Sequence, residues 1–510
     1  MFQNHTNSMN RVLASKYHED RLLVKIRPSL QQAAAGARGM AAHDQANLIA
    51  GNPGLAMIDR MQRSGMIQKV TSLDVSLKED DGPRPRSAAL SILGPANAVT
   101  GARSHMSSGL SMIQASEAAD LSQLHLAFAD DPNVEYVSKV PVRFLAAKKK
   151  KSKKKATRKK STKRNSSRSK SRRSGIAATP PNPLVMWNLQ KIRWQRARNL
   201  GFDDASGIKV GVLDTGIDRF HPDLPSSNIN YVFDYGQPNV LASDRDIIGH
   251  GTHVAGTIGA VINNSTGING ICNCEITAYK IFKDELQYDG LNSQGFEVYT
   301  RFVDPEMYLA ALIRSLDDGM DVINLSIGGY GAPSPAESAA FQDLIDNNVV
   351  VVASMGNDNT YQTSYPAGVS GAIAVGASDQ LDRRSMFSGG GGSNVGNHIT
   401  LCAPGTAIWS TLPTYSGDMG HFRNPLTGQT FISPRENDYD SWPGTSMASP
   451  HVAAAVALLK AKNPSLTQAD VRNLLTSNCD SVPGMNGSSF TQEFGYGRLN
   501  LEKLANSPFA

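Results

Sequence analysis

Three side chains in this sequence have the types needed to activate a hydroxyl group. They are Asp214 in KVGVLDTGID, His253 in GHGTHVAGTIGA and Ser446 in PGTSMASPHVAAAVALL. A serine hydroxyl is a weak nucleophile at neutral pH and needs a base within hydrogen-bond reach. Imidazole titrates near neutrality, so it can accept that proton and hand it on. A carboxylate on its second nitrogen fixes the tautomer and steadies the imidazolium. Taken singly, each residue has an ordinary explanation: a turn aspartate after a strand, a packing histidine among glycines, a serine N-cap. Taken together, they form a set able to carry acyl transfer through a covalent intermediate.

Such a set needs a frame that brings together residues distant in the chain. After a Pro-rich TPPNP, short apolar runs follow one another: KVGVLD, ITAYKIF, DVINLSIGG, VVVVASMGN and AIAVGAS. Each has the texture of a strand buried on both faces. PEMYLAALIRSLDDG and PAESAAFQDLIDNN, between them, have helical spacing. Strands alternating with helices predict an α/β fold: a doubly wound, mostly parallel sheet with helices on both faces. In such sheets ligands gather at the carboxyl ends of the strands, where Asp214 falls. Ser446 precedes a helix rich in Ala and Val, with Pro450 expected in its first turn.

The first 147 residues have a different texture. RLLVKIRP, MIQKVTSLDVSL and VEYVSKVPVRFL read as strands and ADLSQLHLAFADDP as a helix, which predicts a small α+β domain. Residues 148–186 separate it from a domain at 187–510. Within that separator, the run from Lys148 to Arg173 holds sixteen Lys and Arg and no acid, so the rest of the chain has 35 basic against 45 acidic residues. A block of like charge repels itself and buries no apolar surface, so a solvated linker is expected. It contains no aromatic residue to stack on bases, so a role for it in tethering nucleic acid would depend on phosphate contacts alone. No apolar stretch is long enough to cross a membrane, and the N-terminus lacks the apolar core of a secretory signal, which favours a cytoplasmic protein. Cys272, Cys274, Cys402 and Cys479 are expected to be free thiols.

VLDTGID, GHGTHVAGTI, VVVVASMGN and GTSMASPHVAAAVALL together resemble the subtilisin-like serine protease family, over about Trp187 to Leu504. The resemblance implies a serine endopeptidase, with Ser446 as nucleophile, His253 as general base and acid, and Asp214 as the orienting carboxylate. It makes Asn357 the side-chain donor to the oxyanion, alongside the backbone N–H of Ser446. It places an extended protein or peptide substrate on Ser326, Ile327, Gly328 and Gly329 as an added strand. Ala353, Ser354, Met355, Gly356 and Ser364, with Tyr365, would wall the pocket for the residue before the cut. No acidic pair that would demand a basic substrate residue is evident.

The resemblance also implies a structural Ca²⁺ held by Asp223, Asn264 and the carbonyls of Ile262, Thr266 and Ile268, an all-oxygen set. No cofactor is expected in catalysis. The first domain resembles a prodomain, above all over LHLAFADDPNVEYVSKVPVRFL, whose tail would lie in the cleft like a product, in a self-inhibited, monomeric zymogen cut between Lys148 and Trp187. GDMGHFRNPLTGQTFISPRENDYDSW, residues 417–442, is longer than a minimal family member needs. An aspartic protease, suggested by the DTG at Asp214, would require a second carboxylate motif that the chain lacks. The rate is expected to fall as pH drops through the pKa of His253, near ~6.5 in an unperturbed imidazole.

Overall fold

The computed structural model describes residues 17–26, 53–72, 110–145 apart from 117, 118 and 132, 186–232, and 244–508 apart from 293. The basic run and all of the 148–186 separator except Met186 lie outside them.

The centre is a seven-stranded sheet. Its order is Leu401–Pro404, Ile373–Ser378, Val350–Ser354, Val322–Leu325, Lys209–Asp214, Glu275–Lys280 and Ile229–Val232. Every pairing is parallel, as the unbroken apolar runs predict. Side chains alternate across it. Val210, Val212, Val350, Val352 and Val375 face a core shared with the helices His250–Gly259 and Thr445–Lys462. Leu213, Ile323, Leu325 and Val351 face a second core shared with Pro305–Asp317 and Pro335–Asp346. The doubly wound architecture follows from this period of two.

The N-terminal region forms an antiparallel sheet ordered Ile67–Ser72, Leu110–Ala115, Tyr17–Ile26, Val134–Pro141. The helices Pro53–Arg63 and Leu121–Ala129 pack on it; the first of them and the strand Leu110–Ala115 were not anticipated. Leu22, Val24 and Ile113 face those helices, with Ile58, Leu124 and Phe128. Leu23, Leu110, Met112 and Val140 point the other way and join the core of Pro305–Asp317 and Pro335–Asp346. Both faces of this small sheet are therefore covered.

Residues 417–442 form a hairpin, Asp418–Arg423 with Thr430–Pro434. It extends a second hairpin, Gln287–Leu291 with Glu297–Thr300, into a four-stranded antiparallel sheet. The remainder, Tyr439–Trp442, pairs with Ile408–Thr411. All four cysteines are free and buried.

Candidate active site

Asp214 is the last residue of its strand and is buried. Its Oδ1 accepts the backbone N–H of Thr215 at 2.7 Å and faces Nδ1 of a histidine at 2.7 Å. That histidine is His250, the first residue of its helix. The expected pair of Asp214 with His253 is therefore overturned. His253 lies one turn deeper, where Nε2 meets the Ile408 carbonyl at 3.0 Å and the ring stacks on Trp442 at 5.2 Å. Burial pushes its pKa down to about 3, so it stays neutral, and it serves as a packing residue. A residue at the helix mouth can reach back to the strand end; one turn further in, the side chain is committed to the core.

The helix mouth is held by Asp246. Its Oδ1 accepts the Gly249 N–H and Thr215 Oγ1, and its Oδ2 accepts both N–H and Oγ1 of Thr252, all between 2.7 and 2.9 Å. The helix comes so close to the Asp214 turn that a Cβ on Gly251 would meet the Gly216 carbonyl at 2.0 Å. Glycine is required there by contact alone. With Nδ1 facing Asp214, His250 Nε2 is left buried and without a partner. That is the acceptor a serine proton requires.

Ser446 is the second residue of its helix, after Gly444 at φ 154°. Its hydroxyl donates to the Ser326 carbonyl at 2.9 Å, and the Ser326 hydroxyl donates back to the Ser446 carbonyl at 2.9 Å. The second bond has a clear cause. Pro450 is the sixth helical residue, not in the first turn as expected, and its missing N–H leaves the Ser446 carbonyl to another donor. Asn324 Nδ2 in turn holds Ser326 Oγ at 2.9 Å.

Asn357 follows the strand Val350–Ser354. Its Oδ1 accepts N–H and Oγ1 of Thr445 at 2.9 and 3.0 Å, which fixes the orientation of the amide beside the Ser446 turn. The Gly356 N–H donates to Thr445 Oγ1 at 3.1 Å.

The expected substrate edge carries a strand. Phe144–Leu145 pairs antiparallel with Ile327–Gly328, Leu145 opposite Ile327 and Phe144 opposite Gly328. Ser354 Oγ donates to the Ile327 carbonyl at 3.3 Å, and Ser364 Oγ accepts the Gly329 N–H at 3.3 Å, bracketing that edge. Ala353 and Met355 are fully buried in the core beneath Pro305–Asp317 and Pro335–Asp346.

The expected metal-binding loop closes on itself. Asp223 Oδ1 accepts Asn264 Nδ2 at 2.5 Å, and Oδ2 accepts the Ile268 N–H at 2.8 Å. Asn264 Oδ1, the expected metal ligand, accepts the Thr266 N–H at 2.9 Å. Asn264 thus turns its amide nitrogen, not its oxygen, toward Asp223, and the loop is closed by its own hydrogen bonds, an arrangement that does not match the all-oxygen set expected around Ca²⁺. Burial pushes the Asp223 carboxyl up to about 6. Among the described residues no cluster of three or more His, Cys, Asp or Glu has metal-binding geometry, and no helix is long and apolar enough to cross a membrane.

A parallel sheet with an aspartate at one strand end, an imidazole on it and a serine at a neighbouring helix mouth is the arrangement of a serine hydrolase. The model of the subtilase family matches residues 205–497. Subtilisin BL of Lederbergia lenta is 36% identical over 329 residues, which cover 62% of this chain and 97% of that protein. An alkaline protease of Alkalihalobacillus alcalophilus is 36% identical over 329 residues, 62% of this chain and 69% of that one. Fervidolysin of Fervidobacterium pennivorans superposes with a TM-score of 0.60 at 23% identity, over 97% of this chain and 62% of that one, a likeness of fold. The chain belongs to the subtilase family and is a serine-type endopeptidase. The aspartic alternative has no support, since the Asp214 carboxylate is bonded to an imidazole.

Proposed function

We propose that Ser446, His250, Asp214 and Asn357 hydrolyse peptide bonds through an acyl-enzyme. The Ser446 hydroxyl leaves the Ser326 carbonyl and turns to His250 Nε2, which takes its proton as the oxygen attacks the substrate carbonyl. Asp214 holds the proton on Nδ1 and steadies the imidazolium. The charge on the carbonyl oxygen is met by the Asn357 amide and the Ser446 N–H at a helix N-terminus. The imidazolium then protonates the leaving amine, and water repeats the cycle on the acyl group. All of these groups belong to the chain, so no cofactor enters a step.

The observation that carries this reading is the 2.7 Å contact between Asp214 and His250, with Nε2 left as acceptor. The strand Phe144–Leu145 on the substrate edge supports a second part, that the chain is a zymogen inhibited by its own N-terminal region and cut afterwards. A fluorophosphonate is expected to label Ser446 stoichiometrically, and to fail when His250 is replaced by Ala. Intact mass is expected to show Ser446→Ala uncut at residues 1–510. Labelling elsewhere, or a processed Ser446→Ala chain, overturns the proposal.

A further inference from the structure

Arg143 is among the largest fully buried side chains in the molecule. It immediately precedes the strand laid on the substrate edge, and its guanidinium enters a pocket that belongs to the catalytic body. Nε and Nη2 donate to Glu337 Oε1 at 3.1 and 2.8 Å, and Nη1 donates to the Gly331 carbonyl at 2.9 Å. The Tyr308 hydroxyl donates to the same Glu337 oxygen at 3.1 Å. The main chain is tight against the body here, since a Cβ on Gly329 would sit 2.0 Å from the Val142 carbonyl.

Glu337 has two jobs. Its Oε2 closes the capping box of Pro335–Asp346 by accepting the Ser334 N–H, and its Oε1 faces the pocket. The glutamate is itself buried. A neutral side chain in its place would leave a desolvated carboxylate without its cation, a cost that discriminates against substrates without a basic residue.

The register locates this pocket relative to the cut. Leu145 faces Ile327, so the next residue of a substrate continuing that register faces Ser326, whose carbonyl holds the Ser446 hydroxyl. The scissile carbonyl belongs to that residue, and the arginine lies three residues upstream of it.

We propose that Glu337, with Tyr308 and the Gly331 carbonyl, is a specificity-determining site that selects substrates carrying arginine at the fourth position before the cleaved bond. This rests on the proposed endopeptidase function of the same cleft. It supplies the acidic determinant that was not evident from the sequence, as one glutamate in place of a pair. Three donors of a rigid fork are used at once, so lysine, a single point charge, fits less well.

The test uses the full chain after it has processed itself, with the chromogenic anilides acetyl-Arg-Phe-Leu-Ala, acetyl-Lys-Phe-Leu-Ala and acetyl-Leu-Phe-Leu-Ala. The ratio of kcat/KM between peptides cancels any competition from the N-terminal region. Arginine over leucine is expected at about 10- to 100-fold, the scale of buried hydrogen bonds to a charged group, with lysine between them. In Glu337→Gln the ratio should fall to within about threefold of one, and because glutamine also closes a capping box, the helix start survives. A wild-type ratio near one, or a ratio unchanged by Glu337→Gln, overturns the pocket while leaving the endopeptidase intact. Labelled Ser446 without hydrolysis of the arginine peptide also counts against the pocket. No hydrolysis of any peptide with Ser446 unlabelled defeats the endopeptidase reading, and the pocket with it.

Discussion

The two layers that cover the central sheet are built differently. On one side, every residue of His250–Gly259 is buried, and Thr445–Lys462 is buried along nearly its whole length. Such helices have no polar face and cannot be uncovered without unfolding. On the other side, Pro305–Asp317 and Pro335–Asp346 carry acids at their N-terminal ends that meet bases of the N-terminal region. Arg21 lies 3.6 Å from Asp304, Lys69 lies 3.4 Å from Glu306, and Arg143 lies 2.8 Å from Glu337. Apolar packing joins the same surfaces through Leu23, Leu110, Met112 and Val140. The first layer holds His250 and Ser446 permanently, whereas the second is a joint closed by charge and apolar area, of the kind a protein can later release.

The largest effect belongs to the permanent layer and separates two residues on one helix. His250→Ala is expected to lower kcat/KM by about 10⁴-fold or more, with thermal stability little changed. His253→Gln should do the opposite, staying within about tenfold in activity while lowering Tm, because it loses the Trp442 stack and the Ile408 contact. Comparing both variants by kinetics and melting decides it. Equal loss of activity in the two, with His253→Gln as stable as wild type, would restore the pairing of His253 with Asp214. Asn357→Ala comes next, with kcat lowered by about 10²–10³ and KM nearly constant. An effect confined to KM would remove it from the oxyanion site.

The sequence carried the permanent layer well, because a strand buried on both faces and a small-residue helix leave strong local patterns. It could not separate His250 from His253. Both lie in GHGTHVAG, and only the helix start, fixed by Asp246 on Gly249 and Thr252, shows which ring reaches Asp214. The four-stranded sheet of residues 287–300 and 418–434 was hidden because its hairpins lie far apart in the chain. Glu337 was hidden for another reason. SPAE reads as a capping box, which it is, and nothing local reveals that the second oxygen faces a pocket.

A smaller effect tests whether the permanent layer depends on an ion. Asp223 accepts the Ile268 N–H near the foot of the His250 helix, with its carboxyl raised to about 6 by burial. A carboxyl whose folded pKa lies above its unfolded value binds more protons when folded between about pH 4 and 6. Stability should therefore fall as pH rises through that window, by about 1–3 kcal/mol. Asp223→Asn should flatten this slope in melts from pH 4 to 8. EDTA should leave Tm at pH 8 unchanged, since the loop is closed by its own hydrogen bonds. A Tm raised by about 5 °C or more with millimolar CaCl₂ would reinstate the loop as a metal site, by mass action on the folded state.

The smallest effect tests the releasable joint. Lys69 is only partly buried and meets Glu306 at 3.4 Å, so its ion pair is weak and open to screening. Lys69→Ala is expected to speed release of the N-terminal region about two- to threefold at low salt, the scale of a partly exposed pair. The advantage should shrink as NaCl rises toward about 1 M, where the Debye length falls to about 3 Å, the scale of the ion-pair separation. Arg143 sits in the same joint but is fully enclosed, so added salt should not reproduce the effect of Arg143→Leu. Onset of activity in Ser446-labelling time courses, followed with and without NaCl, measures both. Salt sensitivity of equal size at the two positions would mean that the arginine pocket is open to solvent, and the distinction between a screened rim and a sealed anchor would be lost.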